Sequence, residues 1–124
     1  MNETTFASAG GIGVVEGPLT VEMHVGRRGR VCVGRLADGA DLASAERLGR
    51  CARRMRARWL VVDLPPDGAA HEAVRLVAHL RRTATLGGVE IVLVGPHHED
   101  WAVLGCRVFP TASIALGTLG AGWV

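Results

Sequence analysis

Leu19, Val21, Met23 and Val25 alternate with Thr20, Glu22 and His24, the two-residue period of a strand with one buried face. Gly26-Arg27-Arg28-Gly29 turns the chain, and Arg30 to Leu36 returns as the second arm of a hairpin. After a turn at Asp38 to Asp41, Asp41 reads as the N-cap of a helix over 42–57, its carboxylate accepting from the orphan amides of the first turn. At about 100° per residue, Leu42, Ala45, Leu48, Ala52 and Met55 share one arc of that helix. Arg47, Arg50, Arg54 and Arg58 lie on the opposite side. Trp59 to Leu64 is a nearly continuous apolar run closed by Pro65-Pro66, which predicts a central strand buried on both faces.

A second helix is predicted over 71–86, with Ala73, Val74, Leu76, Val77, Leu80 and Ala84 inward and Gly87-Gly88 ending it. Val89 to Val94 is another buried strand, so strand, helix and strand make a right-handed parallel crossover. Beyond it the pattern predicts a short helix over 97–105, a short edge strand at Arg107 to Pro110 and a closing helix at Ala112 to Leu119. Residues 1–18 are small, Gly-rich and irregular, and read as a flexible leader with a short extended piece at Ile12 to Val15. The expectation is α/β: one domain over 19–124, with a mixed sheet of about four to five strands and about four helices.

Composition narrows the class. A chain of 124 residues with 48% apolar content and a mean hydropathy of +0.24 can bury enough surface to fold, which argues against intrinsic disorder. No apolar run reaches the roughly 18 residues of a membrane span, and the N-terminal stretch has neither basic residues nor an unbroken apolar segment, so a cytoplasmic location is expected. The net charge of +2 is too small to mark a nucleic-acid binder unless it is concentrated in a patch, and no direct nucleic-acid partner is expected. Every basic residue is Arg, with Lys and Tyr absent and Ala and Gly abundant, the pattern of a GC-rich coding sequence. Cys32, Cys51 and Cys106 are too far apart for a metal or redox pair and read as reduced, mostly buried thiols.

Candidate chemistry is sparse. Asp67 and His71 could pair as acid and base, but nothing places a nucleophile beside them, and a turn aspartate before a helix is more simply a cap. His97-His98-Glu99-Asp100 lacks the i, i+4 histidine spacing of a metal site and reads as a solvated helix start. The Gly-rich ends do not sit between a strand and a helix, so neither is a phosphate loop. The arginine face of the first helix could meet phosphate or an acidic partner, or simply be solvated. No catalytic residue, metal ligand or cofactor is assigned, and the chain is expected not to be an enzyme.

Gly34-Arg35-Leu36, Leu42, Leu48, Val61-Val62-Asp63-Leu64, Leu76 to Leu80, Gly87-Gly88, Val92-Leu93-Val94-Gly95 and Val108-Phe109-Pro110 stand in an order and spacing that resembles a STAS domain. This is the fold of bacterial anti-sigma factor antagonists and of the cytoplasmic tails of sulfate transporters. In that family the loop after the V-V-D-L strand carries a Ser or Thr that a partner kinase phosphorylates, and the added charge breaks the complex. Here the loop is about two residues shorter, and no Ser or Thr occurs from Asp63 to Arg82; the acceptor position falls at Ala70 or His71. Without a hydroxyl this loop has no phospho-switch.

The resemblance implies a non-enzymatic, partner-switching type of interaction domain in transcription regulation. Its partner would be an anti-sigma factor or serine-kinase-like regulator, or another STAS protein, and a homodimer is compatible with it. The implied docking surface is Leu36 and Asp38, the loop residues Pro65, Pro66, Asp67, Gly68 and Ala70, and the helix start at His71, Ala73 and Val74. The alternative is a STAS-like sensor that binds a small molecule, a nucleotide or lipid, whose phosphate would meet the arginine face or the loop.

Overall fold

Along the central strands successive residues part to opposite faces of one sheet, and the two faces are buried by different helices. The structure, a computed structural model, describes residues 3–8, 11–16, 19–36, 41–64, 70–85, 88–95 and 105–120, with the side chains of 3–8, 11–16, 70–74 and 83–85 excepted. Seven strands pair in sequence order: β1 (Glu3–Ser8), β2 (Gly11–Glu16), β3 (Leu19–Gly26), β4 (Gly29–Leu36), β5 (Trp59–Asp63), β6 (Glu90–Val94) and β7 (Arg107–Phe109). The first three pairings are antiparallel and the last three parallel, so the sheet is mixed. The helices are α1 (Leu42–Arg54), α2 (Ala70–Thr85) and α3 (Ala112–Thr118).

The steps from β4 to β5 and from β5 to β6 run the same way across the sheet, and right-handed crossovers therefore place α1 and α2 on one face. On that face Cys32, Leu60, Val62 and Leu93 pack with Ala45, Leu48 and Ala52 of α1 and with Leu76, Val77 and Leu80 of α2. On the other face Val31, Val33, Trp59, Val61, Val92 and Val94 meet Ala115 and Leu116 of α3 and the following Leu119. Fully burying one such aliphatic side chain contributes about 1.5–3 kcal/mol.

Gly34 has a packing reason. A Cβ there would run into both methyl carbons of Leu48 and come within 2.9 Å of its Cγ, so the glycine lets α1 lie close on β4. Asp41 caps α1 as expected, accepting from the Ser44 amide at 3.0 Å and the Ser44 hydroxyl at 3.1 Å. These bonds, the amide first, hold its carboxyl below the usual range. The other end of α1 closes as a Schellman motif: the Ala57 amide donates to the Ala52 carbonyl at 3.0 Å and the Arg56 amide to the Arg53 carbonyl at 3.1 Å. The left-handed residue of that motif is Arg56, with φ 54°, where glycine would avoid a cost of about 1–2 kcal/mol.

Several expectations change. Among the described residues seven strands replace the four to five read from the sequence, because the stretch read as a loose leader holds β1 and β2, the second of which contains the extended piece expected at Ile12 to Val15. There the glycines obscured segments rich in Thr, Ile and Val, residues that favour a pleated strand. Among the described residues there are three helices; the helix expected over 97–105 lies outside them except for Gly105. Helix α1 stops at Arg54, short of 57. Its inward arc takes in Ser44 and leaves Leu42 exposed.

Candidate functional site

The C-terminal ends of β4 to β6 and the N-termini of α1 and α2 come together at what is here called the upper end of the sheet. Helix α2 begins at Ala70, six residues beyond Leu64, so the connection predicted to dock a partner leaves β5 and enters α2 at this end. The Leu64 amide donates to the Val94 carbonyl at 3.4 Å and the Gly95 amide to the Phe109 carbonyl at 3.2 Å, continuing the sheet pairing past the strand ends.

Of the proposed contact residues, Ala70, His71, Ala73 and Val74 lie in the first turns of α2, their side chains outside the described part. Asp38, Pro65, Pro66, Asp67 and Gly68 also lie outside the described residues. Leu36 is corrected: at 2% exposed it belongs to the core under α1 and offers no contact surface. Its place as the last residue of β4, in phase with Cys32 and Gly34, puts it on the helix-covered face.

On the face away from α1 and α2 the structure assembles a polar group that the sequence reading did not bring together. His24 Nε2 lies 3.3 Å from Glu22 Oε2. Arg35 reaches Glu22 at 3.8 Å and Asp63 at 3.7 Å. Antiparallel pairing of β3 with β4 and parallel pairing of β4 with β5 bring these residues to one face. Burial pushes the Asp63 carboxyl up, against the opposing pull of Arg35. With long bonds and a half-exposed arginine the network contributes little, about 0–1 kcal/mol per pair. The readable signal was the polar phase of β3, where Glu22 and His24 fall on one face; His24 is only 7% exposed.

The lower end of the sheet, where the parallel strands begin and the three described helices finish, is chemically different. The hairpin tip carries Arg27, Arg28 and Arg30, the end of α1 carries Arg50, Arg53 and Arg54, and the link to β5 carries Arg56 and Arg58. The Arg58 Nη1 donates to the Arg28 carbonyl at 3.0 Å while its guanidinium lies 4.7 Å from the centre of the Trp59 ring. Arg30 Nη1 donates to the Met55 carbonyl at 2.9 Å, binding the hairpin to the end of α1. Arg81, Arg82 and Arg107 complete this end, and the one acid there among the described residues, Glu90, pairs with Arg107 at 2.6 Å.

A cleft of about 410 Å³ opens beside β6 at this end, lined by Arg81, Gly88, Val89, Glu90, Ile91, Gly105, Cys106 and Arg107. Burial raises the Cys106 thiol despite Arg81. Cys32 is pushed up to about 12 by burial, with Cys51 adding to the rise, which makes it an unreactive core thiol. Cys32, Cys51 and Cys106 form no disulfide with one another. Among the described residues no group of three His, Cys, Asp or Glu could hold a metal, and no helix is long and apolar enough to cross a membrane. Set against known proteins, the chain matches no family model and no curated sequence.

Proposed function

We propose that the chain is a STAS-like, non-enzymatic interaction domain of the anti-sigma factor antagonist kind, acting in the cytoplasm and docking an anti-sigma factor, a kinase-like regulator or another STAS protein at its upper end. The observation that carries this reading is the connection from Asp63 to Ala70. It leaves the C-terminal end of a central parallel strand and runs into the first turn of a helix, with no hydroxyl from there to Arg82. Such a connection presents a protein-docking loop on a rigid scaffold. Lacking an acceptor oxygen, it cannot be switched off by Ser or Thr phosphorylation, so the domain binds its regulator constitutively.

Asp67→Arg and Val74→Asp test the surface. Wild-type chain used as bait retains an ATPase-fold regulator or a second STAS protein, and each variant loses it by a factor of at least about 100, the size of effect expected when a charge is buried unpaired in an interface. Retention by both variants, with unchanged melting curves, removes the upper end from the account. A second reading rests on the cleft beside β6: a small anionic ligand held between Arg81 and Arg107. A native mass spectrum of the purified chain that carries a bound small molecule, lost in Arg107→Ala, would favour it.

A further inference from the structure

The near-neutral net charge conceals a strong separation of charge. All the arginines except Arg35, Arg47 and Arg75 lie at the lower end, whereas among the described residues Glu22, Asp41, Glu46 and Asp63 lie away from it and only Glu90 shares it. That the cations are Arg and not Lys follows from composition; their placement does not. The carbonyl ends of three helices attract cations, and Arg53, Arg54 and Arg82 in the last turns of α1 and α2 answer that need. Arg27 and Arg28, at the tip of a hairpin, are on no helix, and Arg50 lies a turn before the end of α1.

No ion pair among the described residues involves Arg27, Arg28, Arg50, Arg53, Arg54 or Arg56. Arg50, Arg53 and Arg54, spaced i, i+3, i+4, line a shared open recess of about 340 Å³. Arg56 stands in a left-handed conformation that favours glycine, in a chain with 17 glycines, and its side chain is exposed. The hairpin tip and the end of α1 are tied together by the Arg58 to Arg28 and Arg30 to Met55 bonds, so the segments that carry these charges are held side by side.

We propose that this arginine pole binds the phosphodiester backbone of duplex nucleic acid without reading sequence. Repeated phosphates match a dense array of guanidinium groups, each able to form paired bonds to phosphate oxygens. Single strands need exposed aromatic rings to stack their bases; the described aromatic at this end, Trp59, is only 5% exposed and lies beneath Arg58. A surface that enters lipid carries apolar side chains among its cations, and Val25 is the one large exposed hydrophobic residue described here. The pole is the concentrated patch that the net charge by itself did not disclose, and it lies at the opposite end of the sheet from the protein-docking loop.

The test is fluorescence anisotropy of a labelled duplex of about 20 base pairs, titrated with the full chain over a salt series. If about four phosphates are neutralised, affinity falls roughly tenfold for each doubling of salt. Arg27→Gln/Arg28→Gln and Arg53→Gln/Arg54→Gln each weaken binding by at least about tenfold and each lower the salt slope by about two phosphates. Arg75→Gln, an exposed arginine of α2 outside the pole, leaves both unchanged. Equal loss in Arg75→Gln, no binding at low salt, or tighter binding to a single strand or to phosphatidylserine vesicles than to the duplex overturns the proposal. Melting curves of every variant guard against loss of fold, and retention of the protein partner by the arginine variants separates this test from that of the upper end.

Discussion

The two ends of one sheet differ in what they present. Among the described residues of the upper end, Arg35 stands between Glu22 and Asp63, and Asp41 is occupied in capping α1. At the lower end guanidinium groups crowd a hairpin tip and a helix end with one described acid among them. The same strands build both ends, since parallel pairing of β4, β5 and β6 gathers strand starts and helix finishes at one pole and the reverse at the other. The comparison teaches that net charge is a poor guide to partners when topology sorts charges by their place along each strand and helix.

Disrupting the scaffold that joins the two ends has the largest expected effect on stability. Gly34→Ala drives a methyl group into Leu48 and lowers stability by about 1–3 kcal/mol through overpacking, measured by denaturant unfolding. Adding Leu48→Val or Leu48→Ala to it recovers part of the loss if this contact is the cause; simple additivity of the two changes would refute it. Both binding activities should weaken together, because the joint between α1 and β4 positions both ends.

Arg56→Gly sharpens the contrast. It relieves a left-handed arginine and raises stability by about 1 kcal/mol, while removing a cation from the pole and weakening duplex binding severalfold. A gain in stability with no change in duplex affinity would make Arg56 a matter of composition alone.

Asp63→Asn gives the smallest effect. Burial raises the Asp63 carboxyl in the folded chain, so its ionisation costs stability as pH rises through the raised value, and its contribution is most favourable below the unfolded carboxylate range. The variant should therefore melt slightly higher than wild type at neutral pH, with the difference shrinking in acid. A lower melting temperature at neutral pH would show that the Arg35 bond outweighs burial.

Much of the scaffold was legible from the sequence. The alternation over Leu19 to Val25, the apolar runs at Trp59 and Val89, the Asp41 cap and the helical arc of Leu48 placed β3 to β7 and all three described helices within a few residues. Strand β1 escaped, and β2 was legible only as a short extended piece at Ile12 to Val15, because the interrupting glycines weaken the local signal and the pairing depends on the edge that β3 offers. Leu36 was read as surface because it borders a turn; only the pairing register shows that it shares a face with Gly34 and lies beneath α1. The arginine pole was legible only in part, as the arginine face that carries Arg50, Arg54 and Arg58, for a related reason. Arg27, Arg54 and Arg81 are distant in sequence, and only the sheet order brings them to one end.

The most direct test is an amide chemical-shift titration of the isotope-labelled chain with a short duplex at low salt. The account predicts shifts confined to 27–30, 50–58 and 81–82, with 34–36, 63–64 and 93–95 unmoved. Shifts centred on the upper end, or spread evenly over the surface, would contradict the division of the molecule into a phosphate-binding pole and a protein-docking pole.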